Sequence, residues 1–517
     1  MDSLISKSSV IGDGLTYTCQ YPAMAICSDG SAFIAWQEAH EDETENVFLA
    51  PYDGKNADES KKIKISGNGL SLMPRMTCVD KTVYLAWCEF EKGLWSVCIC
   101  SVKDGKKSDT TVVATAEALF YPRIRNIGSS LMVLFTEEGV GSSVIKVATV
   151  SYDLKVNKIE TITEGQKRYR ADVSMDKEGN LVVVYDGYNG DNYDVFVKVF
   201  ANNKWSCETK VSEDNTRRGT FPVIGFDGKQ FVICYQETSS GSYFNFTLVE
   251  GQVINGSFSR TAIAPVVENY DWCNYFDLSA NSQGSLALVY NVGKENMFLR
   301  YRLPNENWSK AVLLSGSAME DRTPTRTAAM RPSVVIDENN TIYYSVQFAN
   351  ANGHKLRMST VKAGTVPVKD IVGRDDTAKE VFINTFCYRI QGEKELNKVD
   401  DDEKEKWLKA HGINTKLLFG DIHGQSIMSD GMGEMDQYYH YAIKQANMDF
   451  CALTDHDCYP DIATWAEWEW NRTMRNLFNG EKDFAVLLAY EWTSNEYKHD
   501  FGHKNVYYPS SEGGLYT

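Results

Sequence analysis

The chain has 517 residues, of which 43% are hydrophobic and 12% aromatic. That length exceeds what one hydrophobic core usually serves, so two or more domains are expected, and the apolar content excludes a disordered chain. With 53 basic and 70 acidic residues the net charge is −17, which argues against binding to nucleic acid or to an anionic membrane, since both require a basic surface.

The remaining composition points to a cytoplasmic protein. The first residues, MDSLISKSSVIGDGLTYT, lack the apolar segment of a signal peptide, although the N-terminus of the sequence need not be complete. No apolar run reaches the length of a membrane span. The 12 cysteines are scattered without a CxxC pair, which favours reduced, buried side chains. The sequence predicts no particular oligomeric state.

Seven segments in the first two-thirds share one pattern: an aromatic-Pro pair or its counterpart, a turn, a strand-like run ending in an aromatic residue, and a second run. Aligned on their second residue, they begin at Pro22, Pro74, Pro122, Arg170, Pro222, Phe276 and Pro332. A period of about 50 residues is typical of propeller blades, whereas the alternative, an array of β-sandwiches, repeats nearer about 100. The sequence predicts a seven-bladed β-propeller over residues 1–365, with the stretch LTYTCQ supplying a strand that closes the ring.

These repeats loosely resemble those of sialidase-like propellers, although CSDGSAFIAW only echoes the Asp-box SxDxGxTW of that group. Acids recur at one phase of five repeats, namely Glu38, Glu89, Glu137, Asp186 and Glu237. Recurrence at one phase indicates a structural turn and cannot single out an acid/base pair. A glycan-acting enzyme whose propeller carries the chemistry is therefore the least favoured function.

After the propeller the pattern changes. Residues 366–414 are predicted to be a charged linker with a short helix that ends at Gly412. From residue 415 to 517, strand-like runs such as KLLFGDIH and FCALTDHD alternate with helical patterns such as GEMDQYYHYAIKQANM. This order predicts a parallel sheet or a (β/α) barrel.

Histidines cluster in this last region, where five of the eight lie between His423 and His503. His423 ends the first predicted strand, His456 the second and Glu491 the third, while His503 begins the fourth. Because the carboxyl ends of parallel strands meet at one edge, these four side chains are expected to converge. Imidazole and carboxylate groups bind zinc, manganese or iron, so the sequence predicts two or three divalent metal ions.

The ordered motifs GDIHGQSIMSDG, TDHD, AYEWTS and GHKNVYYP resemble the PHP (polymerase and histidinol phosphatase) superfamily, closest to a branch described as a domain of unknown function. The resemblance implies a PHP-type (β/α) barrel and a metal-dependent phosphoesterase, with His423, His456 and Glu491 in catalysis. The metal ligands that it implies are His423, Asp430, His456, Glu491 and His503. The further groups, near the metals or the substrate, are Asp421, Gln425, Asp457, His499 and Lys504.

Two departures from that family leave a second function open. Gln425 occupies the place of the second histidine of an HxH motif, and the chain stops before the last PHP ligands, so the barrel is expected to be truncated at its C-terminus. The leading hypothesis is a phosphoesterase that acts on a small-molecule or glycan-linked anionic substrate, with the propeller as a binding domain. The alternative is a carbohydrate- or protein-binding propeller protein whose PHP-like domain is vestigial and not catalytic.

Overall fold

A computed structural model describes residues 9–12, 18–40, 42–163, 167–213, 217–238, 244–267, 273–293, 296–315, 328–350, 353–364, 401–415, 417–431, 433–458, 463–493 and 502–515. The chain forms two compact units. The first comprises Met1–Thr238, Tyr243–Arg374 and Thr464–Ala466, and the second comprises Ser239–Ser242, Asp375–Ala463 and Glu467–Thr517. None of the described helices is both long and apolar enough to cross a membrane.

The first unit contains seven successive groups of antiparallel strands, called sheets below, and each is built around four strands. One parallel bridge, between Ser143 and Lys167, joins the third and fourth groups into a single nine-stranded sheet. The first sheet contains β2 (Thr18–Ile26), β3 (Ala32–Ala39), β4 (Glu45–Tyr52) and β5 (Ile63–Lys64), and the second contains β6 (Leu70–Val79), β7 (Thr82–Glu91), β8 (Leu94–Lys103), β9 (Lys106–Lys107) and β10 (Thr111–Ala116). The third contains β11 (Leu119–Asn126), β12 (Leu131–Gly139), β13 (Ser142–Val150) and β14 (Val156–Thr161). The fourth contains β15 (Lys167–Met175), β16 (Leu181–Tyr188), β17 (Tyr193–Ala201), β18 (Lys204–Trp205) and β19 (Thr209–Lys210). The fifth sheet contains β20 (Arg218–Phe226), β21 (Phe231–Thr238), β22 (Phe244–Ile254) and β23 (Ser257–Pro265). The sixth contains β24 (Phe276–Ala280), β25 (Leu286–Val292), β26 (Asn296–Arg302) and β27 (Val312–Ser315). The seventh contains β28 (Ala328–Ile336), β29 (Thr341–Asn350), β30 (Gly353–Lys362) and β1 (Ser9–Ile11).

The sheets form a closed ring, because the first strand of each sheet contacts the first strand of the next and β28 contacts β2. The last sheet is completed by β1, which pairs antiparallel with β30. The closing strand is therefore Ser9–Ile11 and not the predicted LTYTCQ stretch. The reason is that the chain from Thr18 onward forms the long first strand of its own sheet.

The aromatic-Pro pairs of the repeats mark a backbone irregularity in the first strand of each sheet. The pairing of β2 with β3 slips between Gln20 and Ala23, and Tyr21 has a φ of 48°. The same slip and a positive φ occur at the equivalent places in five further sheets, at Met73, Tyr121, Arg170, Phe221 and Arg331. Each is a β-bulge, which bends the strand and redirects its next side chains.

Two of the recurring acids at the blade ends, Glu38 and Glu89, accept hydrogen bonds from buried donors. The indole nitrogen of Trp36 donates to Glu38 and that of Trp87 donates to Glu89, both at 2.9 Å. Both indoles are fully buried, and a buried donor without a partner would destabilise the fold. These acids therefore have a structural role.

The cysteines depart from the sequence prediction at one pair. Cys27, just after β2, and Cys78, in β6, form a disulfide between the first two sheets. The expectation that all cysteines are reduced is wrong for this pair, because the ring brings together residues 51 positions apart in sequence. Most of the other described cysteines are buried thiols.

The second unit is a small mixed sheet with few helices. Its elements are α1 (Asp401–Ala410), β31 (Gly420–Gly424), α2 (Met435–His440), β32 (Phe450–Leu453), α3 (Trp465–Phe478), β33 (Ala485–Thr493) and β34 (His503–Tyr508). Strands β31, β32 and β33 are parallel, and β34 runs antiparallel to β33. A π-helical turn, Tyr441–Gln445, extends α2. Helix α1 lies in the charged segment, and Gly412 follows it with a φ of 67°.

The predicted fold class, a propeller followed by a PHP-type (β/α) barrel, is wrong in its second part. Of the residues that the structure describes, 58% lie in strands and only 9% in helices, whereas a (β/α) barrel pairs every strand with a helix. The fourth strand reverses direction and follows β33 without a crossover helix among the described residues. The local alternation of strands and helices was read correctly, but alternation alone does not close a barrel.

In the fourth sheet a buried ion pair connects two neighbouring blades. Arg170 Nε donates to Asp186 Oδ2 at 2.7 Å, and the backbone N–H of Phe221 donates to the same oxygen at 2.8 Å. The guanidinium also lies 5.5 Å from the ring centre of Tyr121 and 4.9 Å from that of Phe221. Both members of the pair are buried, so the loss of one would leave a buried charge without its partner.

We expect Asp186→Ala to lower the free energy of unfolding by about 3–5 kcal/mol, because the buried guanidinium of Arg170 would lose the carboxylate that it contacts at 2.7 Å. Glu178→Ala is the matched control: Glu178 is exposed in the neighbouring turn, and its loss should change stability by less than about 0.5 kcal/mol. Urea denaturation followed by tryptophan fluorescence measures both. Equal stability of the two variants would contradict the prediction.

Candidate metal centre

The predicted ligands meet at one edge of the second sheet. His423 lies in β31, His456 follows β32 and Glu491 lies near the end of β33, and these three strands are parallel. His503 begins the antiparallel strand β34 and pairs directly with Thr493. Because β34 runs the other way, its first residue, and not its last, lies beside the carboxyl end of β33. The convergence that the sequence predicted is confirmed for these four side chains.

Glu491 is the centre of the cluster. Its carboxylate lies 3.8 Å from His423 Nε2, 3.6 Å from His456 Nδ1 and 3.8 Å from His503 Nδ1. Gln425 Nε2 donates a hydrogen bond to Glu491 Oε2 at 2.8 Å. Glu491 is 5% exposed, so its orientation is fixed by the surrounding groups and not by water.

Asp430 approaches the cluster from the loop after β31. Its Oδ1 lies 3.6 Å from His456 Nε2, so His456 faces one carboxylate on each side. The loop is held by Asp455, whose carboxylate accepts bonds from Ser426 N at 2.7 Å and Ser429 Oγ at 2.6 Å. Sequence reasoning missed Asp455, although it stands inside the TDHD motif that supplied His456.

One threonine connects two of the imidazoles. Thr493 Oγ1 lies 2.9 Å from His456 Nδ1 and 3.1 Å from His503 Nδ1. Bonds to Nδ1 orient the rings and leave Nε2 available, which is the usual arrangement around a metal-binding histidine. Sequence reasoning missed Thr493 too; its position two residues after Glu491 in the same strand was the available signal, because such residues share a face.

His423 is oriented in a similar way by groups that sequence reasoning did not assign. Its Nδ1 lies 2.9 Å from Thr454 Oγ1 and 3.0 Å from the side-chain nitrogen of Asn505. Its backbone N–H donates to Asp421 Oδ1 at 3.0 Å. Asp421, predicted as a partner of an imidazole, thus contacts the backbone of β31.

The other predicted groups lie in different places. Asp457 Oδ1 accepts a bond from the backbone N–H of Thr493 at 2.8 Å, so it supports the end of β33 and not an imidazole. Lys504 is exposed and lies next to His503 in β34, and its side chain therefore points to the opposite face of the sheet. His499 lies outside the described residues.

Burial sets the protonation of two groups in this region. It lowers the pKa of His456, against the attraction of Glu491 and Asp430, and a neutral imidazole is the form that binds a metal. Burial also raises the pKa of Asp457 to about 6, although the backbone N–H of Thr493 favours its charged form. Burial therefore favours the metal-binding form of His456.

The donor set fits a divalent cation. Ligand atoms of His456, Glu491 and His503 all lie within 4.8 Å of one another. His423 lies beside Glu491, and Asp430 lies beside His456. Imidazole and carboxylate together suit several first-row metals, so the residues do not choose between them.

Comparison with known proteins gives weak likenesses only. No protein-family model and no curated protein matches the chain. Similar solved structures include a protein of unknown function from Dyadobacter fermentans (TM-score 0.43, 12% identity, 69% of this chain and 98% of that one). A second is a Trypanosoma rangeli sialidase, with a TM-score of 0.38 and 9% identity over 77% of this chain and 63% of the sialidase. A third is a Penicillium chrysogenum alpha-L-arabinanase, with a TM-score of 0.39 and 11% identity over 70% of this chain and 99% of the arabinanase. The chain spans less than two thirds of the sialidase, and with TM-scores below 0.5 none of these likenesses assigns a function.

The predicted membership in the PHP superfamily is wrong. No family model matches, and the described residues of the second unit form a four-stranded mixed sheet and not a helix-rich barrel. The prediction of phosphoesterase chemistry depended on that resemblance and lacks support. The naming of zinc and manganese, which came from the types of ligand residue, lacks support as well. The four motifs do meet in space, but a shared edge of a small sheet requires no particular family.

We expect Thr493→Val to weaken the binding of a divalent cation by about 10- to 100-fold, because two imidazoles would lose the hydroxyl that orients them. Thr473→Val is the matched control, since Thr473 lies in α3 and its Oγ1 donates to the backbone carbonyl of Glu469 at 2.8 Å. Competition with a chromophoric chelator measures cation affinity, and circular dichroism confirms folding. Equal affinities in the two variants would show that Thr493 does not support the centre.

Proposed function

We propose that the second unit binds divalent cations and hydrolyses a small-molecule or glycan-linked anionic substrate, and that the propeller is a ligand-binding domain. The observation that carries the proposal is the arrangement around Glu491. Three imidazoles from different strands lie within 3.8 Å of its carboxylate, and hydroxyl groups of threonines hold each of these rings at Nδ1.

A purely structural role would explain this arrangement poorly. The cluster includes exposed groups, since the side chain of His423 is 50% exposed and that of His503 is 40% exposed. Exposed imidazoles contribute little to packing, while buried ones are costly unless they are partnered. Grouping both kinds around one buried carboxylate supports a site that is open to solvent on one side and rigid on the other.

The residues would divide the work as follows. His423, His456, His503, Asp430 and Glu491 would hold the cations, and Gln425 and Thr493 would keep Glu491 and two of the rings in place. A divalent cation held there would supply the Lewis acidity that makes water a nucleophile near neutral pH. Partial burial at Glu491 and His456 would exclude bulk water from one side of the substrate.

A second candidate function is ligand binding by the propeller without catalysis in the second unit. It is favoured by a cavity of about 600 Å³ that is lined by all seven first strands of the ring. A cavity of that volume is within the range of small-molecule sites. The ligand would be a carbohydrate or a segment of a partner protein.

The two candidates differ in metal content and turnover. We expect the purified protein to retain divalent metal and to hydrolyse p-nitrophenyl sulfate or p-nitrophenyl glucuronide, both of which are anionic. We expect His456→Ala and Glu491→Gln to reduce metal content and hydrolysis to the level of metal-depleted protein. His411→Ala is the matched control, because His411 follows α1 and stacks on Trp407 of that helix. Elemental analysis and release of p-nitrophenol are the measurements.

The results separate the candidates. Metal content and hydrolysis that are unchanged in both variants would overturn the metal-centre proposal. Metal that is bound and lost as expected, without hydrolysis of either probe, would leave a cation-binding protein and favour the second candidate.

A further inference from the structure

The cavity of the propeller contains an unusual concentration of arginine. Arg75 in β6, and Arg123 and Arg125 in β11, line it together. These residues follow the aromatic-Pro bulges of the second and third sheets, and Arg75 and Arg123 are the first residues after Pro74 and Pro122. Since bulges redirect the following side chains, the repeated irregularity of the ring places these guanidinium groups at the cavity wall.

One of the three arginines is fully neutralised. Arg125 Nε and Nη2 donate to the two carboxylate oxygens of Asp172 at 3.0 and 2.9 Å. Asp172 is 0% exposed, and its oxygens also accept from the backbone N–H groups of Val173 and Ile224. This forked pair is a structural feature of the ring.

The other two arginines share one acid. Asp277, on the first strand of the sixth sheet, also lines the cavity, but its Oδ2 accepts a bond from the backbone N–H of Val334 at 3.0 Å. Arg75 donates to the carbonyl of Pro74, and Arg123 makes no hydrogen bond or ion pair with any part of the chain that the structure describes. Two guanidinium charges thus face one carboxylate.

The electrostatics agree with an excess of positive charge. Burial, and after it the proximity of Arg123, lowers the pKa of Arg75 to about 9. Burial raises the pKa of Asp277 above its ordinary value, although Arg123 and Arg125 draw it down. The remaining charged groups of the lining, Asp176, Lys177 and Glu338, lie in the turns that follow the first strands and not beside the arginines.

We propose that this cavity binds a small organic anion, and that Arg75 and Arg123 grip its single carboxylate or phosphate group. Uncompensated charge in a partly enclosed site is costly, and one anion would remove that cost. The planar fork of a guanidinium matches both kinds of oxyanion. Thr77, Ser174 and Ser279 also line the cavity, and such residues suit an anion that carries hydroxyl groups, such as an acidic sugar. The assignment rests on the proposed role of the propeller as a ligand-binding domain.

Isothermal titration of the full chain with glucuronate, glucose 6-phosphate and glucose tests the assignment. We expect at least one of the two anions to bind and glucose to bind much more weakly. Arg123→Gln should weaken binding of the anion by about 10- to 100-fold, and Arg123→Lys should weaken it less, because the charge remains without the fork. Arg260→Gln is the matched control: Arg260 lies on the outer strand β23 with its side chain 38% exposed, and its loss should have no effect. Melting temperatures confirm that the variants are folded.

The outcomes separate this assignment from the proposed function. A preference for glucuronate or for glucose 6-phosphate identifies carboxylate or phosphate as the group that is bound. Binding of glucose equal to that of the anions, or anion binding unchanged in Arg123→Gln, would overturn the anion site while the propeller remained a ligand-binding domain. Failure of all three probes to bind would overturn the anion site as well, and the hydrolysis assays of the second unit would be unaffected.

Discussion

The first unit depends on one packing constraint: a sheet of four short strands has two apolar faces and can cover neither by itself. Closing seven sheets into a ring covers both faces of every sheet, with each first strand packed between two others. The same closure forces the first strands to lie side by side around a common cavity. The structural core and the candidate ligand site of the propeller are therefore consequences of one arrangement.

The bulges in the first strands determine which side chains line the cavity. In six of the seven first strands a residue with positive φ interrupts the pairing, and the residues that follow line the cavity. In four of the seven repeats the residue after the aromatic-Pro pair or its counterpart is Ala, Val or Ser. In the second and third repeats that residue is Arg75 and Arg123. A repeated backbone feature can thus carry a local difference in side chains without any change of fold.

In the second unit, strand direction brings the candidate metal ligands together. Parallel strands bring His423, His456 and Glu491 to one edge, and the reversal of β34 adds His503. Hydroxyl groups of Thr454 and Thr493 then fix the rings. A buried carboxylate among several imidazoles is stable only when such partners satisfy it, which is why the surrounding residues matter as much as the ligands.

Sequence alone determined the repeats, their period and the strand-end positions of the histidines, because periodicity and strand patterns are local properties. It also indicated that the recurring acids are structural. Tertiary structure decided what depends on distant residues: the closing strand at Ser9–Ile11, the disulfide between Cys27 and Cys78, the direction of β34 and the mixed sheet that the described part of the second unit forms in place of a barrel. Tertiary structure also decided that Thr493 and Asp455 support the metal centre and that Arg123 and Asp277 face each other in the cavity. Strand direction and side-chain pairing are set by which elements pack together, and no short stretch of sequence contains that information.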